Sequence, residues 1–383
     1  MSTLLAVLFW LAVGGIAYTY VGYGLIISLL ARWRERPVTR GEITPTVTLL
    51  VAAYNEERCI ASKIANTLLL QYPPDRLDLL VVADGSTDRT AEIVAACPDP
   101  RVRVLHDPER RGKAAALIRA LPHTTGEVVV FSDANSLFRR DALRHLVRAF
   151  ADPTVGAVSG VKRILNRRQT AEEQGENLYW RYEAWLKRCD SAVSSVMGVP
   201  GEIWAARREA WIAPEPTTLL DDFVSSLRMV AAGWRVVFEP AAVATEEASP
   251  GLRAEWTRRV RNAAGGWQAF GQLAGLLRRP SPLVTWQYLS HRMLRWVVAP
   301  LLLVVAAVTN LALLGAGPVY RVTGALQLAF YLVAALGWLL SARNVRLGWL
   351  LAPFYVCLLN AAALAGGWRY LRGRETVLWR KAR

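Results

Sequence analysis

The chain has 383 residues, 53% hydrophobic and 20% charged, with 46 basic against 31 acidic residues for a formal charge of +15. That is too apolar for an ordinary soluble domain and too charged for a protein lying wholly in a membrane. The basic residues crowd beside the apolar runs, which argues for an anionic membrane surface and against nucleic acid as their partner.

Residues 1–31 carry no charge. The run is long enough for one helical span, which takes roughly 20 apolar residues. It lacks a basic n-region and exceeds an h-region in length, so an uncleaved transmembrane helix is expected over 1–31. Arg32, Arg34 and Arg36 follow as a cytosolic flank.

Residues 46–53, TVTLLVAA, read as a buried strand, and YNEERCIASKIANTLLLQ carries apolar residues at helical spacing. LDLLVVAD (77–84) is a second strand, and TDRTAEIVAA opens a helix capped by Thr or Asp. RVRVLHD, a helix from Gly112 to Ala120, and GEVVVFSD continue the alternation. Repeated βα units predict an α/β, Rossmann-like, mostly parallel sheet with helices on both faces. This domain is expected over 44–250. Ligands bind outside the carboxyl ends of such strands. Three of the four strands end there in polar clusters: Tyr54-Asn55-Glu56, Asp84-Gly85-Ser86-Thr87-Asp88 and Asp133-Ala134-Asn135.

GENLYWRYEAWLKRC (175–189) reads as an aromatic-rich amphipathic helix. LDDFVSSLRMVAAG is a helix ended by Gly233, followed by the strand WRVVFEP. Residues 252–279 are amphipathic and Arg-rich, with Trp256 and Trp267, so amphipathic interface helices are expected over 251–296. Arg278, Arg279, Arg292 and Arg295 read as a second lipid-facing flank. Three charge-free runs, 297–320, 322–342 and 347–367, predict three transmembrane helices within 297–368, before a basic tail over 369–383. One N-terminal and three C-terminal spans leave that tail outside, against the positive-inside rule. Cys59, Cys97, Cys189 and Cys357 show no metal spacing and read as buried thiols in a reducing compartment.

Two glycine motifs are excluded. Gly112-Lys113 lacks the rest of a Walker A loop, with Asp107 and Ala114 in the diagnostic places, and no GxGxxG follows the first strand. The carboxylates at strand ends remain. Asp84 and Asp88 suit a nucleobase N–H or a ribose hydroxyl, though Asp88 equally suits a helix cap. Asp133 and Asn135 offer two oxygens to a hard cation, Mg or Mn, bridging a diphosphate. Asp221-Asp222 opens a helix, where acids also serve the dipole. Arg258, Arg259 and Arg261 suit either a leaving diphosphate or a membrane surface, and for Arg259 the membrane is the expectation.

Seven segments in order, VAAYNEE (51–57), VVADGSTDRT (81–90), RRGKAAAL (110–117), FSDAN (131–135), VPGEIWAARREA (199–210), LLDDFVSSLRMVAAGWRVVFEP (219–240) and RRVRNAAGG (258–266), resemble a family 2 glycosyltransferase with a GT-A fold. The resemblance implies that Ala53, Tyr54 and Glu56 line the nucleotide pocket, that Asp84 binds the base and that Lys113 contacts the nucleotide. Asp133 would be the first acid of a DxD motif, binding diphosphate and metal. Asp222 would be the general base, and Arg261 would match the arginine of a QxxRW motif. Three departures stand out: Asn135 for the second DxD acid, Asp221 for a glutamate, and Arg258 and Asn262 for the glutamine and tryptophan of QxxRW.

The expected reaction is inverting transfer of a sugar from a nucleotide-sugar, taken as a UDP-sugar, to a lipid or lipid-linked saccharide. The protein is expected in the inner (plasma) membrane with its catalytic domain cytosolic. The loss of QxxRW weighs against the alternative, a processive exopolysaccharide synthase. A nonenzymatic sugar-nucleotide-binding scaffold would have lost Asp84, Asp133 or Asp222, and all three are present.

Overall fold

The computed structural model describes residues 2–165, 171–247, 251–277, 281–342 and 352–378. Its centre is an eight-stranded sheet in the order β3-β2-β1-β4-β7-β6-β8-β5. The strands are β1 Val47–Ala53, β2 Leu77–Asp84, β3 Val102–Asp107, β4 Val128–Asp133, β5 Leu137–Phe138, β6 Val155–Leu165, β7 Trp204–Arg207 and β8 Arg235–Glu247. β3, β2, β1 and β4 run parallel, as the βα alternation predicts. β7 is antiparallel to both β4 and β6.

Side chains alternate across this sheet because the strand period is two. Leu49, Val51, Leu79 and Val81 enter one core with Ile60, Leu143 and Leu146. Leu50, Ala52, Leu80 and Val82 enter the other with Leu117, Phe223 and Leu227. All seven residues of β1 are buried. Both faces therefore need helices, and the carboxyl ends of β1 and β4 stay in step, with Ala52 beside Asp133.

Eleven helices are used below: α1 Ser2–Trp33, α2 Ile60–Leu68, α3 Thr90–Ala95, α4 Lys113–Ala120, α5 Ala142–Arg148, α6 Ala171–Val193, α7 Asp221–Ala231, α8 Leu252–Gln272, α9 Pro282–Leu313, α10 Pro318–Ala342 and α11 Ala352–Leu371. Among the described residues, three (α1, α9 and α10) are long and apolar enough to cross a membrane. Their exposed surface is apolar, with Leu11 66% and Leu311 72% accessible. α1 and α9 pack together, Gly15 against Leu302, and Tyr18 Oη lies 2.8 Å from Ser290 Oγ.

The C-terminal half departs from expectation. The second membrane helix begins at Pro282 rather than near 297, so the part expected at the interface from 282 onward belongs to it. The third charge-free run falls partly outside the described residues, and the rest forms α11. That helix packs along α8: a Cβ on Gly366 would lie 2.5 Å from Val260 O, and one on Gly367 2.6 Å from Trp267 Nε1. α8 is thus covered on one side by α11. All four cysteines are free thiols, but only Cys189 is buried as expected; Cys59, Cys97 and Cys357 are half-buried.

Charged side chains join α6 to the membrane helices. Asp190 accepts from Tyr23 of α1, lies 2.5 Å from His291 Nδ1 of α9, and its backbone carbonyl accepts from Gln287. Glu183 receives Arg292 at 2.7 Å and Arg295 at 3.0 Å. These two arginines were expected to face lipid. Arg292 is instead buried, because α9 carries it into the protein through a π-helical stretch, Leu289–Val298. Asp190→Ala would strand several buried partners. It should cost about 3 kcal/mol or more, read as an earlier thermal unfolding of the detergent-solubilised chain.

Candidate active site

At the carboxyl edge of the parallel strands lies a cavity of about 420 Å³. Four devices shape its wall. Asn55 takes a left-handed conformation (φ 54°), tolerated by asparagine, and its Oδ1 accepts from Thr87 N at 2.7 Å. This ties the loop after β1 to the loop after β2. Asp88 holds the same junction: its oxygens accept from Thr90 N at 3.0 Å and Glu57 N at 3.1 Å. Asp88 is therefore a loop and cap residue. Lys63, fully buried on α2, donates to Ser132 Oγ at 2.7 Å and Ser136 O at 2.6 Å. It fixes the turn that carries Asp133 and Asn135. Gly201 is the fourth: a Cβ there would lie 3.0 Å from Lys113 Nζ and 3.2 Å from Asp222 Oδ2. A side chain at 201 would enter the gap between them.

Glu56, Lys113, Asp133, Asn135, Asp222 and Arg261 line this one cavity. Lys113 Nζ donates to Asp133 Oδ1 at 2.6 Å. Burial pushes the Asp133 carboxyl up, opposed by Lys113. Burial alone would lower Lys113, but Asp133, Asp221 and Asp222 hold it above the usual lysine range. Burial and the adjacent Asp221 push Asp222 up to about 7, against the pull of Lys113. Arg261 is mostly buried, which lowers its pKa, and its Nε has no hydrogen-bond partner among the described residues. An orphaned guanidinium N–H beside a cavity is what a bound anion would satisfy.

Ala53, Tyr54 and Asp84 are not brought to the cavity. Ala53 and Asp84 are fully buried. Asp84 accepts from Gly112 N at 2.7 Å and from Arg111 N at 3.1 Å, so it holds the RRGK loop from beneath. Gly85 (φ +65°) leaves room for Arg110, which lies 3.5 Å above the Tyr54 ring.

Several cavity residues were given no role in the sequence. Glu202, in the VPGEIW segment, lies 2.5 Å from Lys162 Nζ. Burial works against its charge, yet Lys162 holds it at about 2. Glu246 accepts from Asn135 Nδ2 at 2.6 Å and also pairs with Lys162. Glu183, Lys187 and Arg292 complete the wall toward the membrane helices. Arg258 and Arg259 line the cavity too, each 2.6 Å from the buried Glu255. The membrane-facing expectation for Arg259 is thus overturned, since α8 turns Arg258 and Arg259 onto the buried Glu255. The segment after α11 returns to the same place: Val377 lines the cavity beside Gly112, and Glu375 pairs with Arg369 at 2.5 Å.

Acids and cations thus converge at the carboxyl edge of the parallel strands, with burial and Asp221 pushing one carboxylate, Asp222, toward neutrality. Residues 45–299 match the family model described as glycosyltransferase like family 2. The chain belongs to that family. It is 30% identical over 268 residues to a beta-monoglucosyldiacylglycerol synthase of Nostoc sp., covering 66% of this chain and 56% of that protein. It is 28% identical over 225 residues to a poly-beta-1,6-N-acetyl-D-glucosamine synthase of Staphylococcus aureus, covering 57% of this chain and 54% of that one. The chain thus spans little more than half the length of these curated relatives. Among solved structures it resembles the mannosyltransferase PcManGT of Pyrobaculum calidifontis in complex with GDP-Man and Mn2+, at 29% identity and a TM-score of 0.75, covering 96% of this chain and 100% of that one. The GT-A architecture is the one expected, while the described residues hold three helices of membrane-spanning length where four were expected.

The Asp222 carboxyl gives a pH signature. Its folded pKa, about 7, exceeds the unfolded 3.8. The folded state therefore keeps a proton that the unfolded state releases, and stability falls as pH rises between those values. Asp222→Asn removes that loss, so it should melt higher than the parent at pH 8 and about equally at pH 4. A lower melting temperature at pH 8 would contradict the assignment of the raised pKa.

Proposed function

We propose that the protein transfers a hexosyl group, with inversion, from a nucleoside diphosphate sugar to a hydroxyl of a lipid or lipid-linked acceptor at a membrane. The observation that carries this is the convergence of the Asp133–Lys113 pair, the orphaned Arg261 Nε and the near-neutral Asp222 on one cavity.

Asp222 takes the proton of the acceptor hydroxyl, and a base poised near the working pH does this best. Arg261 and Lys113 receive the leaving diphosphate. Asp133, with Asn135, would hold a divalent cation. Among the described residues no three His, Cys, Asp or Glu side chains cluster as metal ligands. That suits Mg or Mn, which binds through one or two carboxylates and completes its shell with substrate phosphates and water. When bound, the cation would neutralise charge on the departing diphosphate. Tyr54 is the candidate for the nucleobase end; Ala53 and Asp84 are fully buried, and Asp84 serves that end only by holding the RRGK loop. A base stacking on Tyr54 has to displace Arg110 from the ring. The relative that binds GDP-Man widens the donor from a UDP-sugar to either nucleotide, and a panel of UDP- and GDP-sugars assayed for hydrolysis and transfer decides between them.

Three crossings by α1, α9 and α10 place the catalytic domain and the tail on one side of the membrane. Four would place them on opposite sides. We read three, because Val377 lines the catalytic cavity and Glu375 lies in the field of Arg261. The basic flank Arg32–Arg36 makes that side cytosolic. A reporter fused after Arg383 should therefore be cytosolic, and a reporter on the far side would refute this arrangement.

Asp222→Asn keeps size and most hydrogen bonding but cannot take a proton. It should leave donor affinity near that of the parent and cut transfer by about 10²–10⁴-fold, the usual worth of a general base. Asp221→Asn should lose much less. Loss of transfer in Asp221→Asn with activity spared in Asp222→Asn would move the base by one residue. Asp133→Ala should abolish metal-dependent nucleotide binding while the fold persists, which isothermal titration with nucleoside diphosphate and Mn2+ measures.

A further inference from the structure

Three ionisable side chains share one face of α6 at helical spacing: Glu183, Lys187 and Asp190, which are 3%, 5% and 0% exposed. Glu183 and Asp190 are matched by partners on α9. Lys187 makes no hydrogen bond or close ion pair among the described residues, although its side chain lines the active-site cavity.

The charges around Lys187 are Glu183, Arg292, Glu202 and Asp222. Glu183 is shared between Arg292 and Arg295, and Glu202 is taken by Lys162 at 2.5 Å. Asp222 also lies in the field of Lys113. Burial is accordingly the largest influence on Lys187 and lowers its pKa to about 8. An ammonium buried without a counterion is costly. A ligand anion would relieve that cost.

Which substrate brings the anion follows from position. Lys113, at the donor end, has Asp133, Asp221 and Asp222 as its charged neighbours. Lys187 also lies in the field of Asp222, but it stands on the α6 face whose Glu183 and Asp190 pair with α9. Lys187 therefore lies where α6 meets α9, and we take that side of the cavity as the acceptor side. That side meets the membrane helices. Arg292 and Trp296 of α9 line the cavity there, and α6 packs on α1, where a Cβ on Gly24 would lie 2.7 Å from the Trp185 ring. A lipid head group entering from α1 and α9 would meet a cavity wall that includes Arg292, Trp296 and Lys187.

We propose that Lys187 is an acceptor-binding residue that receives a phosphate group carried by the lipid acceptor, close to the hydroxyl that is glycosylated. The inference rests on the transferase reading above and deepens it: the acceptor is an anionic phospholipid with a free hydroxyl rather than a neutral glyceride.

The test uses the full chain in neutral phosphatidylcholine vesicles, with phosphatidylglycerol or diacylglycerol as acceptor. The parent should favour phosphatidylglycerol by at least about tenfold in kcat/KM. Lys187→Met should lose about 10–100-fold on phosphatidylglycerol, the worth of one charge-assisted bond. Its donor KM should stay near that of the parent, and its loss on diacylglycerol should be several-fold smaller than on phosphatidylglycerol. Lys187→Arg should restore part of the loss. Equal rates of Lys187→Met and parent on phosphatidylglycerol overturn the proposal. A loss confined to donor KM, or one equally large on diacylglycerol, also overturns it. Removing an unpaired buried charge should not lower the melting temperature, so misfolding is recognised directly. A second measurement needs no turnover: dioctanoyl phosphatidylglycerol should protect the parent, and not Lys187→Met, against thermal unfolding. Protection by inorganic phosphate alone at the same concentration would reassign the site to a free anion. Protection by the lipid in a chain that turns over no nucleotide-sugar would uphold Lys187 while rejecting the transferase reading.

Discussion

The geometry of the whole molecule depends on the seam between α6 and α9. Glu183 takes two arginines from a helix that also crosses the apolar zone, and Asp190 takes a histidine from the same helix. Buried ion pairs of this kind add little net stability, but each is costly to break. Their effect is therefore positional. They fix the register of a soluble α/β domain against a membrane helix, so that Arg292 and Trp296 serve both as wall of the cavity and as part of the span. On the proposed reading, a lipid acceptor would need no excursion into water to reach Asp222.

Within the cavity, cations and acids are present in near balance, and what distinguishes them is whether they are matched. Lys162 is enclosed by Glu202 and Glu246, and Arg258 and Arg259 converge on Glu255. Those groups build the wall. Arg261 retains an orphaned N–H, Lys187 has no close counterion among the described residues, and Asp222 sits near neutrality. Groups left mismatched by their surroundings are those a substrate can satisfy, and perturbed pKa values collect at functional sites for that reason.

The parallel half of the sheet was legible in the sequence because its strands are apolar on both faces and end in acids. Leu49 to Ala53 could only be a central strand, and Asp133 could only leave the core at its end. The inward turn of α8 was not legible. An Arg-rich helix with Trp256 and Trp267 has the composition of an interfacial helix, and only the partner α11, more than eighty residues away, shows which face is covered. The same long-range logic hid Arg292 and Arg295. Beside an apolar run they resemble a lipid-facing flank, and their carboxylate, Glu183, comes from a helix more than a hundred residues earlier. Lys187 gave no signal at all, since a lysine on an amphipathic helix is ordinarily solvated.

One departure from the family pattern is explained by the packing around it. Asn135 stands where a second acid is expected. Its Nδ2 donates to Glu246 at 2.6 Å, and Glu246 in turn meets Lys162. An aspartate at 135 would face the Glu246 carboxylate at that distance without a donor between them, and two like charges so close cannot both stay ionised. The amide removes the conflict and leaves a carboxylate in the neighbourhood, supplied by β8 instead of by the turn after β4. The negative charge missing at 135 is therefore displaced rather than lost, and Lys162 neutralises part of it. A cation held at Asp133 would meet a weaker local field than two aspartates provide, so more of its binding has to come from the diphosphate that arrives with the sugar.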